Sequence, residues 1–258
     1  SCDVYFYELA SRMDVDDIHA TAEKYGLTER TGIDLPQEKR TRIPSRAWKA
    51  KAVPKDPKWY GGETISVGIG QGAVGVTPIG LARFYALLAT KGKLITPHLF
   101  QGFRNDQTNQ LDLAPVPPTK DTPLDPQIWS VLDQGLAEVV LNGTAAANPV
   151  VRDVARVIPF SGKTGTAQVA TFVDRAHYAR QAKALKDHAL FAGYAPRDKP
   201  QIAFAVIVEN AGFGATSAAP IAAKLVKYWF DDRVRHPYPA PRGRMVDPFA
   251  PQQTEAKE

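Results

Sequence analysis

Two apolar runs, residues 189–195 and 201–209, are separated only by Pro196-Arg197-Asp198-Lys199-Pro200. A connection this short suggests an antiparallel hairpin. A third strand-like stretch, residues 156–170, precedes the pair and carries Ser161-Gly162-Lys163-Thr164-Gly165-Thr166. A cation, a small residue and two hydroxyls at the edge of a strand suit capture of a carboxylate beside a reacting carbonyl.

Helical signals surround these strands. Residues 4–24 carry apolar positions at helical spacing (Val4, Tyr7, Leu9, Met13). Asp14 is placed to cap a second helix within that stretch, and Gly26 stops it. Thr77-Pro78 is an N-cap followed by a proline suited to the first turn, so residues 79–90 read as a helix that Gly92 ends. Residues 126–140 read as another helix and residues 218–230 as a closing one. Residues 31–58, broken by Pro36, Pro44, Pro54 and Pro57, read as loop, and residues 64–76 as a glycine-dense connection. Residues 94–104 read as extended and residues 106–125 as a proline-rich excursion. From Asp231 onward the chain is rich in proline and charge, a tail of residues 231–258 after a domain of residues 1–230.

The 258 residues are enough for one large domain or two small ones, with 44% hydrophobic and 23% charged residues. The net charge of +5 suits an anionic polymer or membrane surface. No dense basic run with interleaved aromatics points to nucleic acid. The longest apolar run, residues 202–208, is far too short to cross a bilayer. The chain opens within what reads as a folded element, so it is expected to be the C-terminal portion of a longer protein with any membrane anchor upstream.

Other motifs lose on context. Gly70-Gln71-Gly72-Ala73-Val74-Gly75 matches G-x-G-x-x-G, but the following helix is capped by Thr77 and no acid follows at the required distance. A tight backbone turn is expected there. Gly162-Lys163-Thr164 fails as a phosphate loop, because Val157 stands where that pattern needs glycine. The five histidines are scattered without metal-ligand spacing. Cys2, the one cysteine, allows no internal disulfide; a lone thiol is most often a small buried hydrophobe.

Several elements together resemble the transpeptidase domain of a class B penicillin-binding protein. They are Thr31-Gly32-Ile33-Asp34-Leu35-Pro36, Ser66-Val67-Gly68-Ile69-Gly70-Gln71-Gly72 with Thr77-Pro78, Thr96-Pro97-His98-Leu99, Lys163-Thr164-Gly165-Thr166-Ala167-Gln168 and Phe191-Ala192-Gly193-Tyr194-Ala195-Pro196. Val208-Glu209-Asn210 and Ala219-Pro220-Ile221-Ala222 complete the series. Ser1-Cys2-Asp3 and Asp187-His188-Ala189 are most similar to the elongation-type lineage, penicillin-binding protein 2.

The resemblance implies an α+β fold of the penicillin-binding protein and serine β-lactamase type, an antiparallel sheet flanked by helices, whose first two strands precede this chain. It implies a periplasmic, inner-membrane-anchored D,D-transpeptidase. Its partners are peptidoglycan stem peptides, β-lactam antibiotics and the glycan polymerase of the elongation machinery. A serine attacks the D-Ala-D-Ala carbonyl with no catalytic cofactor. Lys163 supplies positive charge near the reacting hydroxyls. Thr164 and Thr166 bind the substrate carboxylate, and Gly165 lets the substrate backbone lie close. The Thr166 N–H is an oxyanion donor, a feature worth roughly 3–4 kcal/mol. Ser1 relays a proton toward the leaving amine.

Two departures stand out. Asp3 occupies the position where the family carries Asn, and an ionised carboxylate accepts but cannot donate. Asp3 is expected to tune the catalytic lysine of the Ser-x-x-Lys element. That element is absent from this sequence; it is expected upstream, and loss of a serine nucleophile costs about 10⁶ in rate. In relatives carrying Ser-Cys-Asp, the resemblance makes Cys2 a structural zinc ligand with its partners earlier in the chain. Two other readings stay open: a class D β-lactamase or β-lactam sensor, and a non-catalytic module binding peptidoglycan or a partner through its basic surface and residues 175–186.

Overall fold

A computed structural model describes residues 2–169 and 183–232. Ser1, most of the stretch 175–186 and the tail beyond residue 232 lie outside the described residues. The helices are α1 (Asp3–Ser11), α2 (Val15–Lys24), α3 (Arg46–Ala52), α4 (Gly61–Gly68), α5 (Pro78–Ala89), α6 (Pro126–Leu141), α7 (Pro149–Val157) and α8 (Ala218–Lys227). The strands are β1 (Lys93–Leu94), β2 (Gly102–Arg104), β3 (Leu111–Leu113), β4 (Lys120–Asp121), β5 (Ser161–Ala167), β6 (His188–Ala195) and β7 (Ile202–Val208).

The main sheet is antiparallel in the order β5-β6-β7. Successive side chains of a strand leave opposite faces. On β6, Ala189, Phe191 and Ala195 therefore enter one apolar core with Val151, Val154 and Ala222. Ala192 and Tyr194 enter another with Tyr85, Leu87 and Leu88. The sheet thus lies between α7 and α8 on one face and α5 on the other. The flanking-helix expectation holds. Phe191 is fully buried, edge-on to Phe160 at 6.3 Å and stacked on Phe204 at 6.2 Å. Truncating such a side chain to alanine costs about 3–5 kcal/mol.

Local chemistry explains several boundaries. Asp14 accepts from the Asp16 N–H at 2.8 Å and starts α2. The Thr77 hydroxyl accepts from the Gly80 N–H at 3.1 Å and starts α5. Both α2 and α5 end in paired 6→1 and 5→2 hydrogen bonds. Leu27 and Gly26 close α2 on Ala22 and Glu23, and Gly92 and Lys91 close α5 on Leu87 and Leu88.

Three helices were not legible in the sequence. The first, α3, lies within the expected loop of residues 31–58. Its cap is Ser45, which accepts from Trp48 N–H at 3.1 Å; Pro44 and Pro54 delimit the helix rather than break it. Glycines hid the second, α4. Glu63, three residues into it, accepts the Tyr60 N–H at 2.9 Å and the Lys49 ammonium at 2.6 Å. The third, α7, replaces the start of the expected strand 156–170. Asn148 caps it, Pro149 occupies its first turn, and the strand begins at Ser161. The helix expected from residue 4 onward is present as α1, whose Val4, Tyr7 and Leu9 are exposed and whose buried residue is Ala10. No helix among the described residues is long and apolar enough to cross a membrane.

Candidate active site

Among the described residues β5 has a partner on one side only. In a strand the N–H and C=O of one residue point the same way, and the direction alternates along the chain. The Thr164 carbonyl receives the Lys163 ammonium at 2.9 Å, and the Thr166 carbonyl receives the Gln71 side-chain amide at 2.7 Å. These two carbonyls therefore face the open edge, and the Thr164 and Thr166 N–H groups face it with them. Lys163 and Gly165 direct their backbone groups toward β6, opposite Ala192 and Leu190.

The register puts the Lys163 side chain on one face of β5 and the side chains of Thr164 and Thr166 on the other. The lysine closes this gap through its length. Its Nζ lies 3.3 Å from the Thr164 hydroxyl as well as on the Thr164 carbonyl. Burial pulls the Lys163 ammonium below its ordinary pKa, and the carboxylate of Asp3 acts against that shift. The structure thus brings Asp3, at the first turn of α1, into electrostatic reach of Lys163. Ser161 is different: it is fully buried opposite Tyr194 and takes no part in the open edge.

Packing gives Gly165 an added reason. A Cβ there would meet the Leu190 Cβ at 3.3 Å, and a Cβ on Gly214 would press on the Gly165 amide nitrogen at 3.1 Å. Backbone therefore lies on backbone at this point of the strand.

Gln71 is the residue that sequence reasoning passed over. The sequence places it in an expected tight turn and in the element of residues 66–72 that shares in the family resemblance, without a role at the site. The turn is the terminus of α4: Gln71 N–H bonds to Ser66 O and Gly70 N–H to Val67 O, both at 2.9 Å. Gly70 takes φ of +78°, which a side chain resists. The cap therefore fixes the backbone from which Gln71 reaches β5. The signal was present in Ser66, Gly70 and Gln71, but the partner lies 95 residues away.

Other shared elements brace the surroundings. Asp34 accepts the N–H groups of Leu99 at 2.7 Å and Phe100 at 2.6 Å, tying the segment of residues 31–36 to Thr96-Pro97-His98-Leu99. Glu38 accepts from the Thr31 N–H and hydroxyl, each at 2.7 Å. Beyond Thr166, the buried Asp187 accepts from Val169 N–H at 3.3 Å. Asn210 donates its backbone N–H to His188 Nδ1 at 3.0 Å and its amide to the carbonyls of Ala184 and Lys186.

Cys2 is exposed, not buried. Among the described residues no three His, Cys, Asp or Glu side chains converge on a metal position. The described residues by themselves therefore supply Cys2 with no second and third zinc ligand.

An open strand edge with a partly buried lysine, two threonine hydroxyls and two edge-facing amides accompanies a family match over nearly the whole chain. Residues 1–227 match the penicillin binding protein transpeptidase domain. The chain belongs to this family. The transpeptidase domain is 36% identical over 241 residues to the peptidoglycan D,D-transpeptidase MrdA of Acinetobacter baumannii, covering 92% of this chain and 34% of that protein. Among solved structures it is similar to Pseudomonas aeruginosa PBP2 in complex with WCK 5153, with a TM-score of 0.69 and 37% identity over 90% of this chain and 46% of that one. It is also similar to Helicobacter pylori PBP2 in its complex with MreC, with a TM-score of 0.65 and 29% identity over 87% and 37% of the two chains. The chain spans about a third of the length of the curated relatives it matches. The expected fold and the penicillin-binding protein 2 resemblance are borne out.

Proposed function

We propose that the protein carrying this transpeptidase domain is an elongation-type peptidoglycan D,D-transpeptidase that β-lactams acylate. The observation that carries the reading is the open edge of β5, where Lys163 reaches the Thr164 hydroxyl and the Thr166 N–H faces outward. An extended peptide ending in a carboxylate fits such an edge as an added strand. Lys163 supplies the charge that attracts the carboxylate, and Thr164 and Thr166 offer hydroxyl donors to it.

In this reading a serine of an upstream Ser-x-x-Lys element gives up its proton and attacks the carbonyl between the two terminal D-alanines. The Thr166 N–H stabilises the developing oxyanion. The C–N bond breaks, and the departing D-alanine nitrogen takes a proton relayed through Ser1. An amine of a neighbouring stem then attacks the ester, forms the cross-link and returns the proton to the serine. Asp3 favours the charged form of Lys163 and acts within reach of this relay. A β-lactam amide enters the same sequence and stops at the ester.

The position proposed for the domain is the periplasmic side of the inner membrane. The partner proposed is the glycan polymerase of the elongation machinery, and an MreC-like protein beside it is supported by the relative solved with MreC. A structural zinc at Cys2 would draw its other ligands from positions earlier than Cys2 in the intact protein.

Fluorescent penicillin tests the reading. The full-length protein is expected to form a stable covalent adduct, and Lys163→Ala to lose it. Absence of labelling overturns the reading, and rapid turnover of penicillin replaces it with the β-lactamase one.

A further inference from the structure

We propose that Gln71 is a positioning residue for acylation, holding the Thr166 peptide at the open edge of β5 so that its N–H stays aimed at the reacting carbonyl. The inference rests on the transpeptidase reading and deepens it. An edge strand has no neighbour to fix its outward-facing amides. At Thr166 the neighbour is a single side chain: Gln71 Nε2 donates to the Thr166 carbonyl at 2.7 Å. The Thr166 carbonyl and N–H lie on the same side of the strand, so a rotation that moves one moves the other. A donor on the carbonyl restrains both.

The geometry behind Gln71 is built to resist movement. The paired bonds closing α4 set its backbone, and Gly70 makes the required left-handed turn. A Cβ on Gly72 would meet the Ser66 Cβ at 3.4 Å, so the far side of the turn also lies against the helix. Upstream, α4 is locked at its start by Glu63, which accepts Tyr60 N–H and pairs with the buried Lys49. A rigid helix end therefore presents one amide donor to one strand carbonyl. A carbonyl has two lone pairs, so an incoming substrate amide can share the Thr166 oxygen with Gln71.

The test compares the full-length protein with Gln71→Met, which keeps length and loses the donor, and Gln71→Glu, which keeps shape and polarity but offers an acceptor. The Glu variant covers the case in which Met disturbs folding, and thermal unfolding of each checks this. The probe is benzylpenicillin labelled with ¹³C at its lactam carbonyl. Both variants are expected to slow the acylation rate constant about five- to tenfold, the loss that follows from one neutral hydrogen bond. Initial binding is expected to change less. The acyl-enzyme carbonyl stretch is expected to move to higher wavenumber as the oxyanion-hole bond weakens. Equal acylation rates in folded variants overturn the role of Gln71. Slower acylation with an unmoved carbonyl stretch also overturns it, because a merely structural loss would give that pattern. Failure of the unchanged protein to acylate overturns the transpeptidase reading instead.

Discussion

Gly68 on α4 faces Ala10 on α1 so closely that a Cβ on the glycine would overlap the alanine methyl carbon. This contact joins the helix that begins at Asp3 to the helix that presents Gln71. Two sides of the proposed site therefore depend on one missing side chain.

Gly68→Val is expected to separate these helices. Overpacking of this kind costs about 1–3 kcal/mol. Urea unfolding of the intact protein measures the loss. A variant as stable as the parent would mean that α1 shifts freely over α4.

Asp133 takes the Tyr194 hydroxyl at 2.8 Å and the Arg197 guanidinium at 2.9 Å. Burial first, then this hydrogen bond, raises the Tyr194 pKa above its ordinary value. Asp133→Ala leaves a buried hydroxyl without this acceptor and removes the partner of Arg197. The expected loss is about 2–3 kcal/mol. Asp133→Asn, which can still accept from Tyr194, is expected to lose less. Denaturant curves for the two variants give the order.

Lys163 sits below its ordinary value of 10.5 because of burial, with Asp3 acting the other way. Between its folded pKa and 10.5 the unfolded chain binds more protons. The Lys163 contribution to stability therefore rises with pH across that window. Asp3→Asn removes the opposing charge and is expected to lower Lys163 further, extending the window downward. Titration of the Lys163 Cε resonance checks the sign, and an upward move in the variant contradicts it.

Asp34 lies below the usual carboxylate range because Phe100 N–H, and then Leu99 N–H, bond to its charged form. Its contribution is present above the unfolded carboxylate pKa and lost as pH falls through the folded value. The hydrogen-exchange protection factors of Leu99 and Phe100, taken relative to the intrinsic rate at each pH, are expected to fall in acid, and to be low at neutral pH in Asp34→Ala. Protection unchanged by the substitution would remove the link between these segments.

Much of the frame was legible because its signals are local. Asp14, Thr77 and Pro78 act within one helical turn, and the short Pro196–Pro200 connection limits how β6 and β7 can pair. What escaped had competing local signals. Prolines at both ends of α3 looked like breakers, and the glycines of α4 looked like a loop. Val157 continued an apolar run that hid the end of α7. At the site, Lys163, Thr164 and Thr166 take roles from their spacing and the family pattern, whereas Gln71, although part of the element of residues 66–72, takes none. Its hydrogen bond is to a backbone carbonyl, which carries no sequence identity.

The sequence by itself determined the strand that carries Lys163-Thr164-Gly165-Thr166 and the caps of α2 and α5 at Asp14 and Thr77, since periodicity and capping chemistry are written within a few residues. The tertiary structure decided that β5 presents an open edge, that Asp3 acts on Lys163, and that Gln71 holds Thr166. These depend on how α1 and α4 come to rest beside the sheet, over separations that no local pattern encodes.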